Sequence, residues 1–207
     1  IEKSEIFCPH RVAEDKMKEK LYQTIEKKDS IGGSVKFIIK NAPIALGEPI
    51  YDKLSARLAF AMLSIPSVKG FEIGDGFEST KKNGSNRNDL FDVKNNKIVT
   101  KTNNDGGILA GISNGNDIIG KVALKPTATI AKPIETLDVK KNKKILHIKS
   151  NRHDICTAIR GVKVVEAMCY LVLVDFYLLN KIKNLKNFKN FSLDNLNLKV
   201  DETSDSK

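Results

Sequence analysis

The chain has 207 residues, with 35 Lys and Arg against 25 Asp and Glu for a formal charge of +10. Its 41% hydrophobic and 29% charged content belongs to a globular chain able to bury a substantial core, and its basic balance favours anionic partners. Aromatics at 6% with no Trp leave few stacking platforms for single-stranded nucleic acid, and the three cysteines form no CxxC pair, which argues against a zinc knuckle or a disulfide framework.

Along the chain, residues 10–28 read as an amphipathic helix, with Ala13, Met17, Leu21 and Ile25 four apart. "DSIGGS" (29–34) is a turn, and "SVKFIIKN" then alternates as a half-buried strand with Val35, Phe37 and Ile39 on one face. A Pro/Gly loop (41–50) leads to a second helix over 52–63, with Leu54, Leu58 and Met62 in line. "VKGFEIGDGF" (68–77) reads as a strand ending in a glycine turn, and 78–104 as a polar, exposed excursion. Strands are expected at 107–113, 118–125 and 145–149, then a long helix from Asp154 to about Leu179. Its apolar face holds Ile159, Val162, Val165, Met168, Val172 and Phe176. The Lys/Asn-rich tail, 180–207, is expected to be weakly ordered. Hairpin-length connections outnumber regular βαβ units, so the fold class is α+β with a largely antiparallel sheet.

No stretch near the N-terminus has a signal-peptide core, and the longest apolar run, 167–174, is too short to span a bilayer. Cys8, Cys156 and Cys169 fit a reducing, cytoplasmic setting as free thiols. His10 and His147 lack paired ligands, so no metal is expected. Glu48 and Asp75 are expected to cap or pair locally.

Two stretches carry candidate chemistry. In "NNDGGILAGISNGNDIIGKVALKPTATIAKP" (103–133), Gly106, Gly107, Gly111 and Gly115 would let a planar ligand approach the backbone. Lys125 would end a strand at Pro126, with the Thr127 and Thr129 hydroxyls beside its ammonium. The plainer reading is a glycine-bulged hairpin and a surface lysine. In "KSNRHDICTAIRGVKVVEAM" (149–168), Asp154 is either a helix N-cap beside exposed Arg152 and His153, or a proton-handling group beside an anion-binding arginine.

Taken together and in order, several motifs resemble the chorismate synthase family. They are "DSIGG" (29–33), "NAPIALGEPIYDKLSARLA" (41–59), "MLSIPSVKGFEIGDGF" (62–77), "GSNRND" (84–89), "TKTNNDGGILAGISNG" (100–115), "KPTATI" (125–130) and "RHDICTAIRGVKVVEAM" (152–168). The likeness runs from about residue 1 to 179. It implies a β-α-β sandwich, assembled as a homotetramer, that converts 5-enolpyruvylshikimate 3-phosphate to chorismate by 1,4-anti elimination of phosphate with reduced FMN. It further implies that Pro66, Ser67, Ala110, Lys125, Pro126, Thr127, Ala128 and Thr129 line the flavin. Arg152 would touch flavin or substrate, and Asp154 would manage the proton near flavin N5. Reduction of the flavin by a partner reductase or by the enzyme itself both stay open.

The chain departs from the family pattern at Ile155 and Lys163, where Pro is usual, at Ala110, where Gly is usual, and at Asn86-Arg87, where Glu-His is more usual. The family's N-terminal half, with its histidines and most substrate arginines, has no counterpart here. The chain is therefore expected to be the C-terminal part of a longer enzyme and inactive alone. The competing expectation is a non-catalytic basic module that binds nucleotide or nucleic acid through Lys181, Lys183, Lys186 and Lys189.

Overall fold

The computed structural model describes residues 4–94, 96–148 and 153–183. Helix α1 (Arg11–Glu26) precedes strand β1 (Gly33–Ile39), helix α2 (Leu54–Leu63) and strand β2 (Val68–Ile73). A 3-10 turn (Gly76–Lys81), the short α3 (Gly84–Arg87) and a hairpin of β3 (Phe91–Lys94) and β4 (Lys97–Thr100) follow. Then come β5 (Ile108–Leu109), β6 (Ile112–Ser113), β7 (Ile118–Leu124), a second hairpin of β8 (Ile134–Leu137) and β9 (Lys143–Leu146), and α4 (Thr157–Lys183).

The central sheet has the order β1-β7-β2 and is antiparallel throughout, with Val35 opposite Val122 and Phe71 opposite Val122 on the other side. Period-two alternation drives it. Ile118, Gly120, Val122 and Leu124 of β7 are buried, as are Val35 and Phe37 of β1. Lys36, Lys121 and Glu72 share a row on the opposite face of the sheet, beside the Ile38–Ile119 pair. Helices α2 and α4 lie side by side on the apolar face.

Leu54, Leu58, Met62, Val165, Ile118 and Val122 meet between these layers at under 2% exposure. Full burial stabilises each such side chain by about 1.5–3 kcal/mol. Helix α2 stops where "SIPS" brings Pro66, which cannot continue a helical ladder. At its other end the Leu54 N–H donates to the Gly111 carbonyl at 2.8 Å, replacing a side-chain cap.

Several expectations change. The strand expected over 145–149 is instead β9, paired with β8, a strand the sequence reading does not name. Met17 and Ile25 of the expected α1 stripe are 51% and 49% exposed. The single strand over 107–113 is instead β5 and β6 folded on each other, because Ala110 and Gly111 both have positive φ (52° and 91°) and make a two-residue hairpin turn. The exposed excursion contains the β3–β4 hairpin, in which Phe91 lies opposite Thr100 and Val93 opposite Ile98. The long helix starts at Thr157 and not at Asp154, and it runs through Lys183. The expected tail beyond that, residues 184–207, lies outside the described residues.

Candidate functional site

The strand-end lysine is positioned by both neighbours of β7. Pairing of β2 with β7 brings Val68 opposite Leu124, and the Lys125 N–H then donates to the Ser67 carbonyl at 2.8 Å. Ser67 adopts φ 72°, in the left-handed region that a residue with a side chain enters at a cost. Pro126 has no N–H, so the ladder ends and the chain turns away.

Past this strand end, three segments distant in sequence interlock. The Ser30 hydroxyl donates to the Thr127 carbonyl at 2.6 Å, and the Thr127 hydroxyl donates to the Asp154 carbonyl at 2.7 Å. The Ile31 N–H closes the set by donating to the Ile155 carbonyl at 2.8 Å. Gly33 lets the third segment in, since a Cβ there would lie 2.7 Å from the Ala158 Cβ.

Charge is arranged around this interlock. The Asp154 carboxylate pairs with Arg160 in the first turn of α4. Lys132 reaches Asp29 at 2.5 Å, and its ammonium, helped by the Ser30 N–H, holds the Asp29 carboxyl below the usual carboxylate range. Lys125, by contrast, has an exposed side chain with no ion-pair partner among the described residues.

Pro66, Ser67, Lys125, Pro126, Thr127 and Asp154 thus come together, with Ala128 and Thr129 exposed just beyond. Ala110 does not join them. Its turn packs at the N-terminal end of α2, where Gly111 accepts from Leu54, whereas Ser67 and Lys125 sit past the C-terminal end. Ten residues of helix separate the two places by about 15 Å. Arg152 lies outside the described residues.

The glycines do not present an open floor. A Cβ on Gly106 would meet the Gly74 N at 2.3 Å, and one on Gly107 would meet the Asp117 carbonyl at 2.6 Å. At Gly111 it would meet the Glu48 carbonyl at 2.5 Å, and at Gly115 the Ile44 side chain at 2.9 Å. The space these residues leave is filled by the chain itself, so they serve internal packing and not ligand approach.

Sequence reasoning misses His153. Expected as an exposed loop residue, it is half-buried, and both ring nitrogens are inaccessible and without a hydrogen-bond partner, as is the Thr157 hydroxyl. It misses Ser30 as well, for which the place in "DSIGG" is the one signal the sequence offers.

Asp75 pairs locally, with Lys82 and Arg87, whereas Glu48 pairs with the distant Lys183 at the end of α4 and not with a near neighbour as expected. Lys183 is therefore engaged, and the Lys181 ammonium stacks 5.3 Å from the Tyr177 ring centre. Lys186 and Lys189 lie outside the described residues. Among the described residues no group of three or more His, Cys, Asp or Glu could hold a metal ion, and no helix is long and apolar enough to cross a membrane.

The family model for chorismate synthase matches residues 1–178. The chain belongs to the chorismate synthase family. The chorismate synthase of Cytophaga hutchinsonii is 48% identical over 178 residues, covering 85% of this chain and 49% of that protein. That of Opitutus terrae is 44% identical, covering 86% of this chain and 49% of its own length. A crystal structure of a chorismate synthase superposes with a TM-score of 0.71 at 31% identity, over 86% of this chain and 47% of that one. The chain spans about half the length of the relatives it matches. The α+β class with antiparallel sheets agrees with that superposition.

Proposed function

We propose that the chain forms part of the site at which a chorismate synthase converts 5-enolpyruvylshikimate 3-phosphate to chorismate with reduced FMN. The observation that carries this reading is the hydrogen bond from the Thr127 hydroxyl to the Asp154 carbonyl, which ties the segment of Lys125 and Thr127 to the segment of Asp154. Turnover is proposed to require the remaining half of the relatives' length, with the homotetramer and any flavin reductase as further proposals.

The donor set suits an anionic cofactor rich in hydrogen-bonding atoms. Lys125 offers an uncommitted ammonium, and His153 and Thr157 hold buried polar atoms that lack partners. Each such buried atom costs about 1–3 kcal/mol while it lacks a partner, and because these atoms are inaccessible the donors left for a ligand are those at the exposed strand end, Lys125 and Thr129. Reduced FMN would supply electron density as the allylic phosphate leaves, with no net redox change.

The chain's own residues do the rest. Lys125 binds negative charge on cofactor or substrate, and the Thr127 and Thr129 hydroxyls orient it. Ser67 fixes the strand end from which Lys125 projects. Asp154 is anchored through its carbonyl by Thr127 and through its carboxylate by Arg160, and with FMN bound that carboxylate would accept and return the proton at flavin N5. FMN is extended, with ring and phosphate at opposite ends, which is what would let the distant Ala110 turn belong to the same site.

The test is anaerobic chorismate formation with reduced FMN. The chain alone is compared with the chain joined to the part of the Cytophaga hutchinsonii relative that it does not span. The joined protein should turn over, the chain alone should not, and Asp154→Asn in the joined protein should lower kcat with little change in FMN affinity. Lys125→Ala should weaken FMN binding in a fluorescence titration. Full activity in both variants would defeat the assignment.

A further inference from the structure

The segment that carries Lys125 and Thr129 has little of its own to hold it in shape. Residues 125–133 belong to no helix or strand, and Pro126 and Pro133 lack an N–H. Beyond the Lys125 N–H, their backbone makes no hydrogen bond to other backbone among the described residues. The turn at 29–31 grips the segment instead, through side chains. The Ser30 hydroxyl donates to the Thr127 carbonyl at 2.6 Å, and the Lys132 ammonium donates to the Asp29 carboxylate at 2.5 Å. That carboxylate is itself aimed, because its other oxygen accepts from the Ser30 N–H at 2.8 Å. Two adjacent residues thus pin the segment on either side of Ala128, Thr129 and Ala131, which are exposed. The next residue, Ile31, donates to the Ile155 carbonyl, so the same turn also registers the segment of Asp154.

We infer that Asp29 and Lys132 are positioning residues, whose ion pair is the clasp that holds residues 125–132 in the shape in which Lys125 and Thr129 meet an anionic ligand, an inference that rests on the flavin role proposed for those two residues. The charges divide the work. Lys132 gives its charge to Asp29, whereas Lys125 has no ion-pair partner among the described residues. The paired side chains are 43% and 39% exposed, so the pair adds little to the stability of the whole fold. A segment without a backbone ladder has equally little to resist loosening, so a small contribution decides how often it is in shape. Pre-organisation of a binding segment is read out as affinity. An ion pair of this exposure moves such a local equilibrium by about two- to fivefold.

Elastase, which cuts after small residues, reads the shape of the segment with no flavin present. In the joined protein, Lys132→Met or Asp29→Asn should quicken cleavage after Ala128 or Ala131 by about two- to fivefold, with cuts elsewhere and the thermal midpoint unchanged. Asp29→Asn keeps an oxygen for the Ser30 N–H and so removes the charge alone. FMN affinity should fall by the same factor in a fluorescence titration, while kcat at saturating FMN stays within about twofold of the parent. Lys132→Arg should restore both readouts. The double variant should be no worse than either single one, because the two side chains act as one contact. Unchanged cleavage in both single variants overturns the inference, as do additive effects in the double variant. Faster cleavage with parental FMN affinity overturns it too, provided that Lys125→Ala weakens FMN binding. If Lys125→Ala binds FMN like the parent while the clasp variants are cut faster, the flavin reading fails and the clasp stands.

Discussion

Thr127 and Asp154 are 27 residues apart and joined by a 2.7 Å hydrogen bond from the threonine hydroxyl to the aspartate carbonyl. That bond holds the turn before α4 against the end of β7, so it sets where the Asp154 carboxylate sits relative to Lys125. Thr127→Val keeps the shape and removes the donor. It should lower stability by about 1 kcal/mol in a urea titration, while Thr127→Ser should retain most of it. A Val variant as stable as the parent would mean that water replaces the bond.

Much of the fold is legible in the sequence because burial follows simple periods. The alternation in "SVKFIIKN" and the four-residue spacing of Leu54, Leu58 and Met62 each name the inward face that the structure buries. The β5–β6 turn is not legible. A turn of this kind usually advertises itself as Asn-Gly or Asp-Gly, and Ala110-Gly111 looks like the middle of a strand. At the site, sequence order groups Lys125 with Thr127 because they are close neighbours. The contacts of Ser30 and Ser67 depend on tertiary pairing over long separations, which no local pattern encodes. The orphaned nitrogens of His153 are hidden for the same reason.

Two adjacent positions of that turn should respond with opposite signs. Gly111 has φ 91° and a Cβ there would lie 2.5 Å from the Glu48 carbonyl, so Gly111→Ala combines backbone strain with a clash against main chain. A loss of more than about 2 kcal/mol is expected. Ala110 sits at φ 52° with its side chain exposed, and Ala110→Gly relieves the strain. Thermal melts should show it neutral or stabilised by up to about 1 kcal/mol. A destabilised Ala110→Gly would contradict the turn geometry.

Ser113 is 1% exposed and ties the 41–50 loop to the body. Its hydroxyl donates to the Pro43 carbonyl at 2.6 Å and accepts from the Leu46 N–H at 2.9 Å. Ser113→Ala leaves two backbone groups unmatched and should cost about 1–3 kcal/mol by denaturant titration. Amide exchange at Leu46 should quicken in the same variant, whereas a purely global effect would raise exchange throughout the core.

Asp89 fixes the polar excursion by accepting from the Thr102 hydroxyl at 2.6 Å and from the Asn104 and Asp105 N–H groups at 2.7 and 2.9 Å. Burial pushes its carboxyl up, but the Asp105 N–H, the Thr102 hydroxyl, the Asn104 N–H and the nearby Arg87 outweigh it and hold the group below the usual carboxylate range. Between that lowered folded value and the ordinary one near 4, the unfolded chain binds the proton and the folded chain does not. The contribution is therefore complete above about pH 4 and is lost as the pH falls through the folded value. Asp75, where burial is likewise outweighed by Lys82 and Arg87, adds to the same slope. Asp89→Asn puts an amide donor where N–H groups already point, so it should cost about 1–3 kcal/mol at neutral pH. It should also flatten the fall in stability below about pH 4, because the proton-linked contribution is gone. An Asp89→Asn variant whose acid unfolding curve runs parallel to the parent's would place that contribution on other carboxylates.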